Sequence, residues 1–313
     1  INKEAVNVPI YEMEQPDTLL WAIWCLQQYH KVVSHQQFYD KYGRLLWDIM
    51  EFIWNGRHTN LFVHDNGLLY ANGRDRAITW MNSTVDGRPI VPRSGYIVEF
   101  NALWYNALKF CEQILNENGG EADVIQAKAC AEEAEKVAVS FKEVFLNEYG
   151  YLLDYVDGMM MDWSVRPNQL FAIALDYSPL NVKERKGVLD ICTKELVTPK
   201  GIRSLSPKSG GYNPLYVGPQ IQRDYAYHQG TAWPWLTGFY LEAYLRVYKM
   251  SGVNYIERQL IGFEEELFYH CVGTIPELFD GNPRFSGRGA ISFAMNVSGI
   301  LRALSMLDKY SVD

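Results

Sequence analysis

The chain has 313 residues, 48% of them hydrophobic, and a formal net charge of −8 at pH 7. That length supports one large core or two smaller ones, and an acidic balance without any basic run excludes nucleic acid as a partner. No stretch approaches ~18 consecutive apolar residues, so no helix is expected to cross a membrane.

In chain order, residues 1–15 are polar and irregular. Asp17 and Thr18 open a helix through Leu19, Leu20, Ile23, Trp24 and Leu26. Ser34 caps a second helix, with Phe38, Leu45, Leu46, Ile49 and Ile53 on one face. Residues 56–97 read as loop, with apolar pieces at 61–63 and 68–70 suited to a small hairpin. A helix over 99–116 carries Trp104, Ala107, Leu108, Cys111 and Leu115 at helical spacing, and Asn118-Gly119-Gly120 breaks it. Further helices are expected over 121–146, 170–175, 181–196, 232–250, 255–268 and 290–307. Long loops over 149–165, 197–230 and 272–288 separate them.

This makes about nine helices and almost no strand. Long loops are uncommon unless functional. Here they recur between every second pair of helices, while the alternate connections are short. That rhythm belongs to helical hairpins whose long loops gather at one mouth. The expected fold is therefore all-α, an α/α toroid.

The cysteines, Cys25, Cys111, Cys130, Cys192 and Cys271, are odd in number and scattered. They read as buried free thiols of a reducing, cytoplasmic compartment. No metal-ligand spacing appears among them or the six histidines, so neither metal nor cofactor is expected. The chain starts at Ile1 and shows no signal peptide, which reads as a fragment of a longer chain. Aromatic residues make up 14%, including 9 Trp and 21 Tyr, an excess that suits carbohydrate binding or a large helical core.

The chemistry concentrates in residues 79–108. Thr79-Trp80-Met81-Asn82 and Val91-Pro92-Arg93-Ser94-Gly95 precede Val98-Glu99-Phe100-Asn101-Ala102-Leu103-Trp104-Tyr105-Asn106-Ala107-Leu108. A loop dense in aromatic and bidentate polar groups, held by a packed helix, is how a binding site is usually built. Sugars suit such a surface, because their C–H faces stack on indoles and their hydroxyls pair with Asn, Arg and Glu. This ordered set resembles the glucosidase domain of glycogen debranching enzymes (amylo-alpha-1,6-glucosidase). Arg166-Pro167-Asn168-Gln169 and the segment from Tyr225 to Trp235 match it further.

The resemblance covers the chain from about Asp17 onward and implies a twelve-helix toroid. This chain would supply about nine of those helices, as a single domain over 1–313 at the C-terminal side of a longer chain. The N-terminal remainder would be its partner in the ring. The implied reaction is inverting hydrolysis of an α-1,6-glucosyl stub in glycogen or limit dextrin, a branched α-glucan. Glu277, within Pro276-Glu277-Leu278, takes the family's general-base position. Asn82 stands where the family has an acid Asp, and an amide cannot give up a proton near neutral pH. An inverting pair needs two carboxyls about 6.5–9.5 Å apart. The resemblance places substrate binding at Trp80, Arg93, Glu99, Asn101, Trp104, Arg166, Asn168, Gln169, His228, Gln229 and Trp233.

Simpler readings stand beside these. Glu99 can complement a helix dipole. Arg166, His228, Gln229 and Trp233 can merely tie loops together. His228 lacks the Ser or Cys context of a triad, and Asp154 with Asp157 lacks a complete calcium loop. At the level of function, the rivals are a non-catalytic α-glucan-binding domain and another toroid glycosidase, glucoamylase-like or trehalase-like.

Overall fold

The computed structural model describes residues 15–269 and 272–311. Helix α1 runs Thr18–His30. A reciprocal capping box between Ser34 and Gln37 starts α2, His35–Phe38. A π turn, Tyr39–Gly43, joins it to α3, Arg44–Trp54. Glycine suits that turn, because a Cβ at Gly43 would lie 2.9 Å from the Tyr39 ring. Helix α4, Val98–Asn118, stops at Gly119 in the left-handed region and hands over to α5, Glu121–Phe145. Then come α6, Leu170–Ala174, and α7, Val182–Leu196, the latter opened by a capping box of Asn181 and Glu184. The remaining helices are α8, Gln220–Ala226; α9, Trp235–Tyr248; α10, Val253–Ile261; α11, Glu266–Tyr269; and α12, Ala294–Ser311.

Each helix expected from periodicity is present. The π turn interrupts the second, and the stretch 255–268 divides into α10 and α11. Helix α8 lies in a segment read as loop, since only Ala226 of its seven residues is buried and no apolar stripe marks it.

Helices α1, α4, α6, α9 and α12 pack side by side in that order, as the inner layer of an arc. Helix α6 is buried along its whole length, whereas α5 and α7 each keep an exposed polar face. Helices α5, α7 and α10 pack behind the inner layer, against α4, α6 and α12 respectively. The approach of α9 to α12 needs glycine on both sides. A Cβ on Gly299 would lie 2.7 Å from the Trp235 Cα, and one on Gly238 would lie 2.7 Å from the Gly299 carbonyl oxygen. At the centre of the arc Trp21, Phe171 and Phe239 meet edge to face, with Trp235 stacked on Phe171.

The expectation of an all-α fold needs correction. The loops contribute short strands: β1, Phe62–Val63; β2, Leu69–Ala71; β3, Thr84–Val85; β4, Arg88–Pro89; β5, Gly95–Ile97; β6, Tyr155–Asp157; β7, Met160–Met161; β8, Val197–Thr198; β9, Gly201–Arg203; β10, Ala232–Trp233; β11, Leu278–Phe279; and β12, Gly287–Arg288. They form two antiparallel sheets, ordered β1-β2-β5-β6-β7 and β12-β11-β10-β9-β8, and a β3–β4 hairpin. The expected hairpin near residues 61–70 is β1 paired with β2, with Phe62 opposite Tyr70. Packed loops must pair their backbone N–H and C=O groups, and ladders of two or three residues do so without any detectable alternation in sequence.

Cys111, Cys130 and Cys192 are buried free thiols; Cys25 is free but exposed, contrary to expectation, and Cys271 lies outside the described residues. Among the described residues no helix is long and apolar enough to cross a membrane.

Candidate active site

The starts of the inner helices gather at one end of the arc. Asp17, before α1, feels the charge of Glu99 in the first turn of α4. Asn168, before α6, bonds to Asp154 and Trp80. Asn296, early in α12, accepts from the Trp235 N–H at the start of α9 through its Oδ1, at 2.9 Å. The long loops and both sheets are carried at this end.

An aromatic wall lines it. Trp80 meets His228, Trp233 and Trp235 edge to face at 5.2, 5.7 and 5.2 Å. His228 lies flat on Trp233 at 5.3 Å, and Tyr227 closes on both. Burial, with help from the Arg166 charge, lowers the His228 pKa to about 3, so this imidazole is neutral at physiological pH. Three buried polar atoms in the wall, Arg166 Nε, His228 Nδ1 and Trp235 Nε1, have no hydrogen-bond partner in the protein.

Beneath the wall lies a buried charge network. Arg93 Nε donates to Asp154 Oδ2 at 2.7 Å, and its two terminal nitrogens donate to the Glu99 carboxylate. Asn168 donates to the other Asp154 oxygen at 2.8 Å and accepts from Trp80 Nε1 at 2.7 Å. The chain Glu99–Arg93–Asp154–Asn168–Trp80 thus fixes the indole from below. Burial would lower the Arg93 pKa, but the Asp154 and Glu99 carboxylates hold it above the ordinary value. Burial raises the Glu99 carboxyl, and the Arg93 guanidinium opposes that rise.

Glu277 sits half-buried in an open cleft of about 520 Å³, flanked by Tyr216, Arg223 and Arg288. Its Oε2 accepts from the Ala290 N–H at 2.8 Å, and its Oε1 accepts from the Tyr227 hydroxyl. Gly289, at φ +72°, makes this seat possible, since a Cβ there would lie 2.3 Å from Oε2. Burial first, and then the hydrogen bond to Glu277, raise the Tyr227 pKa, so that hydroxyl keeps its proton and donates it.

Asn82 is exposed, in the loop before β3. The next residue, Ser83, donates through Oγ to the Asp224 carbonyl of α8 at 2.7 Å, and β3 packs on α8. Tyr227, the residue after α8, bonds to Glu277. Positions 82 and 277, remote in sequence, are therefore both fastened to the C-terminal end of one short helix.

The family described as amylo-alpha-1,6-glucosidase matches residues 4–302. The chain belongs to that family. Glycogen debranching enzyme of Saccharomyces cerevisiae is 26% identical across 59% of this chain, and the match spans only 15% of that protein's length. Two solved structures share the fold. A sialidase is 13% identical, with a TM-score of 0.67, and the match covers 88% of this chain and 24% of that one. The neutral trehalase of Saccharomyces cerevisiae is 15% identical, with a TM-score of 0.54, over 73% of this chain and 40% of its own.

Several residues that the resemblance assigns to substrate binding are buried and bonded within the protein. Arg93 and Glu99 are each 1% exposed and bond to one another. Asn101 spends its amide on the Leu69 and Ile97 backbone, clamping β2 to α4. Trp104 is fully buried and donates to the Gly67 carbonyl. Gln169 accepts from the Leu152 N–H and donates to the Arg166 carbonyl. Arg166 donates to the Ser204 and His228 carbonyls and to Gln229 Oε1, tying two loops together with all but its Nε. Trp80, His228 and Trp233 form the wall, with Asn168 behind it. Sequence reasoning weighed Asp154, the hub of the network, only as a calcium ligand, and gave no role to Tyr227, the partner of Glu277. Neither carries a local signal, since both act through partners distant in sequence.

Asp17 adds a pH dependence to the stability of this fold. It accepts from Trp21 Nε1 at 3.2 Å, and its pKa is raised from 3.8 to about 6, by burial first and by the Glu99 charge second. The folded protein therefore holds this proton more tightly than the unfolded chain. The contribution of Asp17 to stability is best below the unfolded value and declines as pH rises through about 6. Asp17→Asn, which keeps an acceptor for Trp21, is expected to stabilise the fold at pH 7.5 by about 2 kcal/mol. That gain should shrink toward zero as pH falls to about 4. Urea midpoints of both proteins across this range check it, and a gain independent of pH would contradict the assignment.

Proposed function

We propose that this domain takes the α-1,6-linked glucosyl stub of glycogen or a limit dextrin, and that its site is shaped for inverting hydrolysis of that bond. Glu277 is the base that draws a proton from the attacking water. The observation that carries the reading is its seat. One carboxylate oxygen is fixed by a backbone N–H and the other by the Tyr227 hydroxyl, at the foot of the aromatic wall. Trp80 stacks the sugar against the aromatic wall. Position 82 is the place of the acid. Because it holds Asn82, the chain as it stands binds the branched glucan and releases glucose at a negligible rate.

A second reading is favoured by Asn82 itself: an α-glucan-binding domain that keeps the pocket and has no proton donor. Titration calorimetry with a singly branched limit dextrin, isomaltose, maltose and trehalose, coupled to a glucose-release assay, tests both. The branched dextrin is expected to bind best, with Trp80→Ala weakening it roughly tenfold, equal to ~1.4 kcal/mol. A preference for maltose or trehalose would assign a different toroid glycosidase specificity, and absence of binding to every α-glucan would reject the proposal.

A further inference from the structure

We propose that His30, His35 and Glu117 form a binding site for a zinc-class divalent cation that staples the first helical hairpin to α4. His30 ends α1, His35 begins α2, and Glu117 lies in the last turn of α4. The site is thus at the opposite end of α1 and α4 from Asp17 and Glu99. One ligand atom from each residue can be chosen so that all three lie within 4.8 Å of one another.

The spacing fits a tetrahedral ion. Bonds of about 2.0–2.1 Å place neighbouring ligand atoms roughly 3.3 Å apart. His35 Nδ1 is 2.9 Å and His30 Nε2 3.9 Å from the same oxygen, Glu117 Oε2, and these two distances bracket that value. Close as it is, the His35–Glu117 pair lacks hydrogen-bond geometry, and neither His35 nitrogen makes a hydrogen bond. The two imidazole planes meet at 86°, so the rings approach from different directions.

The surroundings favour ligation. Glu117 Oε1 accepts from Gln113 Nε2 at 2.7 Å, which orients the carboxylate and leaves Oε2 toward the imidazoles. Two imidazoles and one carboxylate suit zinc, nickel, copper or cobalt, whereas calcium and magnesium prefer oxygen alone. Three protein ligands leave one position for water. Sequence spacing does not reveal the set, because Glu117 comes from a helix far along the chain.

The test uses tag-free protein stripped with a chelator. Zinc is titrated by calorimetry and thermal melting, and cobalt by visible absorption. One ion per chain, a raised Tm and the intense ligand-field bands of tetrahedral cobalt are expected. Glu117→Gln and His35→Ala should each weaken zinc by at least about tenfold. His64→Ala should leave it unchanged, since that imidazole is bonded to Tyr96 elsewhere. Glu117 is exposed, so its amide variant keeps the fold, as circular dichroism would verify. Absence of saturable binding of one ion, or undiminished binding by Glu117→Gln, would overturn the proposal.

Discussion

Asn82→Asp is expected to raise glucose release from a singly branched dextrin by ~10²–10⁴-fold, the usual worth of general acid catalysis. Without a donor at position 82 the leaving sugar oxygen must depart as an alkoxide or take its proton from solvent. No neighbouring carboxyl in the network repairs this. Glu99 is buried and held by both terminal nitrogens of Arg93, and Asp154 is occupied by Arg93 and Asn168. The loop at 82 is anchored through Ser83 to α8, so the new carboxyl would sit on a supported backbone. Glu277→Gln, introduced into the Asn82→Asp protein, should remove the gained activity while the Tyr227 hydroxyl still finds an acceptor in the amide oxygen. The measurement is glucose released per mole of protein, compared across the unaltered, single and double variants. Equal rates with and without Asn82→Asp would show that position 82 is not the acid.

Arg93→Met is expected to destabilise the fold by about 3–5 kcal/mol, because removing one partner of a buried ion network strands the others. Methionine approximates the arginine stem, so the loss is mainly electrostatic. Glu99 and Asp154, 1% and 2% exposed, would be left without their cation. The effect should extend to the site. Asp154 also positions Asn168, and Asn168 holds the Trp80 indole, so glucan affinity should fall with stability. Urea unfolding followed by tryptophan fluorescence provides the first readout and calorimetry the second. An unchanged urea midpoint would mean that the network does not support the fold. Glu277→Gln serves as the comparison, since its half-buried carboxylate is solvated from the cleft and its change should leave the midpoint nearly in place.

Family and helix order were legible in the linear chain, because they rest on local chemistry. Ser34 with Gln37 and Asn181 with Glu184 announce helix starts three residues at a time. Gly119 announces an end. Trp104, Ala107, Leu108 and Cys111 repeat with the helix period and are buried. The motif around Trp80 and the Pro276-Glu277-Leu278 segment identified the family before any contact was known.

What tertiary structure alone decided was which polar residues face the cleft. Arg93, Glu99, Asn101 and Gln169 have the composition of a sugar site. Their donors and acceptors are nonetheless consumed by partners as far away as Asp154 for Arg93 and Leu69 for Asn101. Helix α8 and the strands beyond the β1–β2 hairpin were equally hidden, because they carry little apolar pattern of their own and are stabilised by ladders and packing across the mouth. A side chain's type states what it can bond. Its partner is fixed by which distant loop the fold brings within three ångströms, and that information is spread over the whole chain rather than written beside the residue.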